Sequence, residues 1–134
     1  MKRVYTDMVA DMFHVGHLNL IKRAKALGDY LIVGVHSDDD TGRYKRRPII
    51  PQKDRYEMVR SCRYVDEVIE SAPLTITRAF IDNNNIHFVV HGDDITDELK
   101  RQHKVPIEMK IVKYVKYTEG ISTTDIIKRI KHGF

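Results

Sequence analysis

The sequence predicts an α/β domain with an open, mainly parallel five-stranded sheet, and three observations carry that prediction. Short runs rich in Val, Ile, Tyr and Phe alternate with amphipathic stretches, the order expected of parallel strands joined by crossover helices. The chain has 134 residues and 42% hydrophobic content, enough for one domain around one core and too little for two. Breakers stand where runs end: Gly28-Asp29, the Asn83-Asn84-Asn85 triplet and Gly120.

The elements follow in order. Residues 3–6 (RVYT) predict the first strand from their β-branched and aromatic content. Residues 16–27 predict a helix, because Leu18, Ile21, Ala24 and Leu27 recur at helical spacing. Residues 30–35 (YLIVGV) predict the second strand, 52–62 a helix, and 67–70 (EVIE) the third strand. Residues 77–83 predict a helix ended by the asparagine triplet, 88–91 (FVVH) the fourth strand and 96–102 another helix. Residues 109–112 (MKIV) predict the fifth strand, and 123–131 the last helix. The whole is expected to be a single Rossmann-like domain over residues 1–134, with helices on both faces and ligands beyond the carboxyl ends of the strands.

Composition narrows the classes. No stretch approaches the roughly 18 uninterrupted apolar residues of a membrane span, and MKRVYTDM lacks the apolar core of a signal peptide, so a soluble, cytoplasmic protein is expected. The one cysteine, Cys62, lies in a helical, arginine-flanked stretch and reads as a packed thiol. Lys+Arg 23 against Asp+Glu 19 gives a formal charge of +4, which suits nucleic acid, a membrane surface or a small polyanion. The densest basic run, Lys45-Arg46-Arg47 before Pro48, falls in an expected loop and has no interleaved aromatics, which argues against nucleic acid.

After the first strand comes Asp11-Met12-Phe13-His14-Val15-Gly16-His17, two histidines three apart around a glycine at a helix start. A glycine admits close approach of a phosphate to the backbone, and a helix N-terminus offers free N–H groups, partial positive charge and imidazole donors beside it. The same spacing also fits histidines that cap or pack, or two ligands of a metal site. Zinc is disfavoured because no Cys or His pair completes a tetrahedral set, His91 being a stray candidate, and no residue is assigned as a metal ligand. Towards the other end, Thr118-Glu119-Gly120-Ile121-Ser122-Thr123-Thr124 is a glycine turn before hydroxyl residues, with Ser122 a natural N-cap. Alone it means capping. Paired with the first motif, two helix N-termini following parallel strands could close on one polyphosphate.

Taken together these runs resemble the cytidylyltransferase family, which includes the enzymes for glycerol-phosphate, choline-phosphate and ethanolamine-phosphate. The likeness lies in His14-Val15-Gly16-His17, in Arg63-Tyr64-Val65-Asp66-Glu67-Val68, in the spacing of Lys45 to Arg55-Tyr56, in His91-Gly92-Asp93-Asp94 and in Glu119 to Thr124, and it covers nearly the full chain. The first motif is shared with adenylyltransferases, and the other runs argue for cytidine. The resemblance implies that His14 and His17 contact the phosphates of CTP while an acceptor phosphate attacks the α-phosphorus in line, with magnesium carried by the nucleotide. It implies catalytic roles for His14, His17, Lys45 and Arg63. It implies CTP-binding roles for Val9, Ala10, Asp11, Gly16, His91, Asp94, Gly120, Ile121, Ser122 and Thr123. Acceptor-binding roles fall to Asp7, Arg55 and Tyr117. Asp11 either helps hold the ion or orients its loop, Asp66 is a candidate partner of Arg63, and a homodimer is expected.

Two departures stand out. Relatives carry a glycine, a small residue and a phenylalanine before the aspartate where this chain has Met8-Val9-Ala10, which predicts a different backbone path there. Relatives carry an arginine at Tyr117, and Lys116 or Lys113 is the expected replacement. The middle of the chain looks closer to the choline- and ethanolamine-phosphate enzymes, so an amino-alcohol phosphate is the expected acceptor. Glycerol 3-phosphate, 2-aminoethylphosphonate and a CTP-binding module without catalysis stand as alternatives.

Overall fold

Apolar residues on both faces of every central strand require cover on both sides, and the chain supplies it. In the computed structural model, which describes residues 1–133, five strands form one sheet: β1 (Arg3–Met8), β2 (Tyr30–Val35), β3 (Glu67–Glu70), β4 (Phe88–Gly92) and β5 (Val112–Val115). Every pairing is parallel, in the order β3-β2-β1-β4-β5. The chain therefore winds outward from β1 to β3 and then crosses back to lay β4 beside β1, which makes the gap between β1 and β4 the switch point where a ligand crevice opens.

Between the strands lie α1 (Val15–Lys25), α2 (Asp38–Tyr44), α3 (Gln52–Arg60), α4 (Arg78–Asn83), α5 (Asp97–Gln102), α6 (Lys104–Glu108) and α7 (Thr123–His132). One face of the sheet buries Val4, Val33, Val35 and Val90 against Ile21 and Ala24 of α1 and Val59 of α3. The other buries Tyr5, Ile32 and Val89 against Ile76, Ile81 and Ile86, with Val105 and Met109 packed on them. Gly34 is required there, because the Tyr5 hydroxyl occupies the space a side chain would need.

The structure departs from the sequence reading at two elements. The fifth strand starts at Val112 rather than residue 109, because Lys104–Glu108 coil into α6 and Met109 caps it. The helix α2 was not predicted; its signal is Ser37, whose Oγ accepts from the Asp40 N–H, followed by three aspartates that favour the positive helix N-terminus. Met8 ends β1 in extended conformation and packs in the core. The loop that follows turns left-handed at Ala10 (φ 58°) and Met12 (φ 47°), on either side of Asp11.

Candidate functional site

The carboxyl ends of β1 and β4 and the N-termini of α1 and α7 enclose one cavity of about 620 Å³, in the range of small-molecule sites. Its wall begins at His14, the N-cap of α1. The Nδ1 atom accepts from the Gly16 N–H at 3.0 Å, while Nδ1 of His17 accepts from the His14 N–H at 3.1 Å, a reciprocal capping box built from imidazoles. Each ring thus spends Nδ1 as an acceptor, so in the neutral form each carries its proton on Nε2. The rings lie 3.9 Å apart between centroids. Gly16 is necessary here, because a Cβ would meet the His14 ring at 2.8 Å.

Burial keeps both imidazoles neutral. It lowers His14, and it lowers His17 to about 4, aided by His14 and by the Lys45 ammonium and opposed by Asp11. Lys45 is itself lowered, by burial and then by Arg46, while Asp94 pulls it the other way. It stands not in a free loop but as the C-cap of α2, from which Thr41, Lys45 and Arg46 all reach the cavity. Thr41 offers a buried hydroxyl that has no hydrogen-bond partner among the described residues.

From the opposite side comes α7. Its N-cap Ser122 accepts from the Asp125 N–H, and Thr123 Oγ1 donates to the Asp11 carbonyl at 2.9 Å and lies 3.5 Å from His14 Nε2. The two helix starts are therefore tied together, and Ser122, Thr123 and Thr124 line the same cavity as His14 and His17. Gly120 turns with φ 85°, and Ile121 packs towards Gly16, so both shape the wall from behind, as does buried Ala10. Asp7, Val9, His91, Asp94, Tyr117 and Lys116 also line it.

Asp11 orients a loop. Its two carboxylate oxygens accept from the Ile49 and Ile50 N–H groups, both at 2.9 Å. Arg55, expected to bind the acceptor, does not reach the cavity. Its side chain is fully buried, with Nε donating to the Ile50 carbonyl, Nη1 to the Val9 and His36 carbonyls and Nη2 to Asp38. It is a structural strut between the loops after β1 and β2. Arg63 is also absent from the cavity: it precedes β3 at the amino edge of the sheet, exposed, with its guanidinium on Tyr64. Asp66 pairs instead with Lys25 at 2.6 Å and caps the Leu31 N–H. Lys113 stacks on Phe88 outside the site.

The charge expected near Tyr117 is supplied by Lys116 and by Arg23, which lines the cavity and donates to the Lys116 carbonyl at 2.7 Å and to Thr118 Oγ1. Arg23 had no motif to mark it; its signal is only an arginine one turn beyond the cavity-facing Leu20 on α1.

Fold and cavity define an α/β domain whose switch-point cleft is lined by two helix N-termini, imidazoles, hydroxyls and basic side chains. A family model described as cytidylyltransferase-like matches residues 6–129, and the chain belongs to that family. It is 47% identical over 96% of its length to the ethanolamine-phosphate cytidylyltransferase of Dictyostelium discoideum, covering 38% of that protein. It is 43% identical over 98% of its length to choline-phosphate cytidylyltransferase A of Rattus norvegicus, covering 37% of it. The chain thus spans less than half the length of these relatives. Among solved structures, a lipopolysaccharide core biosynthesis protein from Thermoplasma volcanium superposes with a TM-score of 0.72 at 24% identity, over 90% of this chain and 99% of that one, a likeness of fold. No described helix is long and apolar enough to cross a membrane.

Proposed function

We propose that the chain transfers CMP from CTP to the phosphate of a small amino alcohol, giving a CDP-alcohol and pyrophosphate. The observation that carries this reading is the convergence of two helix N-termini and two neutral imidazoles on one switch-point cavity. Family membership and the names of the relatives support it.

An oxygen of the acceptor phosphate attacks the α-phosphorus of CTP. As that P–O bond forms, the bond to the oxygen bridging the α- and β-phosphorus breaks, and its electrons leave with pyrophosphate. Negative charge grows on the phosphate oxygens, and the Nε2–H groups of His14 and His17 with the N–H groups opening α1 and α7 are fixed donors for it. Lys45 meets the phosphates from the α2 side, with Arg23 and Lys116 supplying charge opposite. Asp94 is an acceptor for the exocyclic amine of cytosine, and Asp7 a carboxylate for the ammonium of the acceptor.

Magnesium, when bound, offsets the charge of the phosphates. The residues fit an ion carried by the nucleotide rather than caged by protein: both Asp11 oxygens already accept backbone N–H groups, and no group of three His, Cys, Asp or Glu among the described residues could hold a metal. The family resemblance extends the proposal to a cytoplasmic homodimer acting on no nucleic acid.

The test is pyrophosphate release from CTP and from ATP with phosphoethanolamine, phosphocholine, glycerol 3-phosphate and 2-aminoethylphosphonate. CTP-dependent release with an amine-bearing acceptor is expected. Tight CTP binding with silence across all four acceptors refutes the catalytic reading, and release from ATP refutes the nucleotide assignment.

A further inference from the structure

The basic run Lys45-Arg46-Arg47 is divided by the structure between two tasks. Arg43 and Arg47, on either side of its centre, spend their guanidinium groups on the aspartates that open α2: Arg43 Nη1 donates to Asp40 at 2.9 Å, and Arg47 Nη1 to Asp39 at 3.1 Å. Arg46, between them, makes no hydrogen bond or ion pair with any described residue, and it lines the cavity beside Lys45. The segment that carries it is held on both sides, by the Lys45 N–H on the Thr41 carbonyl and by the Ile49 and Ile50 N–H groups on Asp11. Arg46 also presses on its neighbour: after burial it is the largest influence lowering the Lys45 ammonium, which Asp94 opposes. Two cations crowded at one cavity wall repel, and an anion set between them turns repulsion into attraction.

The place of Arg46 in the fold says which anion. Arg46 follows α2, in the crossover after β2, on the β2 side of the switch point, whereas Lys116 follows β5, beyond β4 on the other side. Arg23 donates to the Lys116 carbonyl and belongs to that second side. The end of α2 lies within electrostatic reach of Asp7: the Tyr44 phenol is pushed up to about 12 by burial and then by the Asp7 and Glu98 carboxylates. Asp7 and Thr41 line the cavity with Arg46. Under the proposed transfer Asp7 receives the ammonium of the acceptor. The short chain of an amino-alcohol phosphate then keeps its phosphate near that carboxylate, on the side of Arg46, while the triphosphate lies against the starts of α1 and α7.

We infer that Arg46 binds the phosphate of the acceptor, a task separate from that of the cations that meet CTP. The inference rests on the proposed transfer to an amino-alcohol phosphate. A guanidinium is charged at every working pH and presents its N–H groups as a planar fork that matches two oxygens of a phosphate. With two oxygens on the fork, the third is left to form the P–O bond to the α-phosphorus, so Arg46 orients the nucleophile as well as holding it. Its charge also offsets the repulsion between an anionic acceptor and the triphosphate it has to approach.

The experiment measures KM for phosphoethanolamine at saturating CTP, and KM for CTP at saturating phosphoethanolamine, in the wild-type chain and in Arg46→Gln, Arg46→Lys and Arg47→Gln. Arg46→Gln should raise KM for phosphoethanolamine roughly tenfold to a hundredfold, the range of a hydrogen bond to a charged group, and leave KM for CTP within about twofold. Arg46→Lys keeps the charge and loses the fork, and should fall between Arg46→Gln and the wild-type chain. Arg47→Gln removes an exposed ion pair away from the substrates and should leave both constants within about twofold. A KM for phosphoethanolamine within about threefold of wild type in Arg46→Gln overturns the inference, and so does a rise in KM for CTP as large as the rise for the acceptor. Because Arg46 has no partner in the protein, Tm should not change, and a large fall in Tm overturns the inference by showing a structural role. Silence of the wild-type chain with every acceptor overturns the transfer reaction itself and the inference with it, a result distinct from the others.

Discussion

Replacing His17 separates catalysis from capping, because its two ring nitrogens do different work. Nδ1 accepts the His14 N–H at 3.1 Å, one half of the capping box that starts α1, and Nε2–H is left for the cavity. Removing a helix cap costs about 1 kcal/mol of stability. Removing one oriented donor to developing charge costs about 10²–10³ in turnover, or about 3–4 kcal/mol of barrier. His17→Ala should therefore lose both. His17→Asn keeps a short acceptor near the place of Nδ1 but has nothing at Nε2, so it should recover most of the stability and none of the turnover. Urea denaturation reads the first quantity, and pyrophosphate release at saturating CTP reads the second. The reasoning fails if either variant turns over within about fivefold of the wild-type chain. It fails equally if His17→Asn falls in stability as far as His17→Ala, since the cap would then not explain the loss.

Further outcomes follow from the same geometry. Asp11→Asn leaves one of the Ile49 and Ile50 N–H groups facing an amide nitrogen, and should cost about 1–3 kcal/mol in urea denaturation; a change under about 0.5 kcal/mol would contradict the anchoring role. Arg55→Met strands the Val9 and His36 carbonyls and the Asp38 carboxylate, and should cost about 3 kcal/mol or more, seen as a large fall in Tm; an unchanged Tm would refute the strut. Arg63→Ala, across the sheet from the cavity, should change kcat/KM by less than about twofold, and a tenfold loss would restore it to the site. The unliganded chain should lose stability on acidification. Because folding lowers His17 from 6.5 to about 4, the unfolded chain binds its proton first; the contribution is intact above about pH 6.5 and falls by roughly 3 kcal/mol as pH drops towards 4. A His17→Asn chain should show a shallower loss across that window, and an identical pH–stability curve would refute the assignment.

What the sequence disclosed depended on whether a feature was local. The helix starts at His14 and Ser122 are each written in a few consecutive residues, because the glycine, the cap and the donor must all sit within one turn, and the structure brings both to one cavity. The central strands were legible for the same reason, since burial on both faces demands an unbroken apolar run. Arg55 and Arg63 were not separable, because both are arginines in or beside one amphipathic helix. What distinguishes them is that Arg55 turns inward beneath two loops whose carbonyls need donors, while Arg63 lies beyond the helix end at the far edge of the sheet. Arg23, His36 and His103 escaped notice for the converse reason. Each comes from a different crossover, and its contact with Lys116 or Asp7 arises only when the fold brings the two together, at sequence separations of 93, 29 and 96 residues. In an α/β sheet a helix start that follows a strand can be written in one loop, whereas the rest of the cavity wall is assembled from segments far apart in sequence. Under the proposed transfer, Asp7, which borders the cavity at the end of β1, is the carboxylate at which the amine of the acceptor is to be sought.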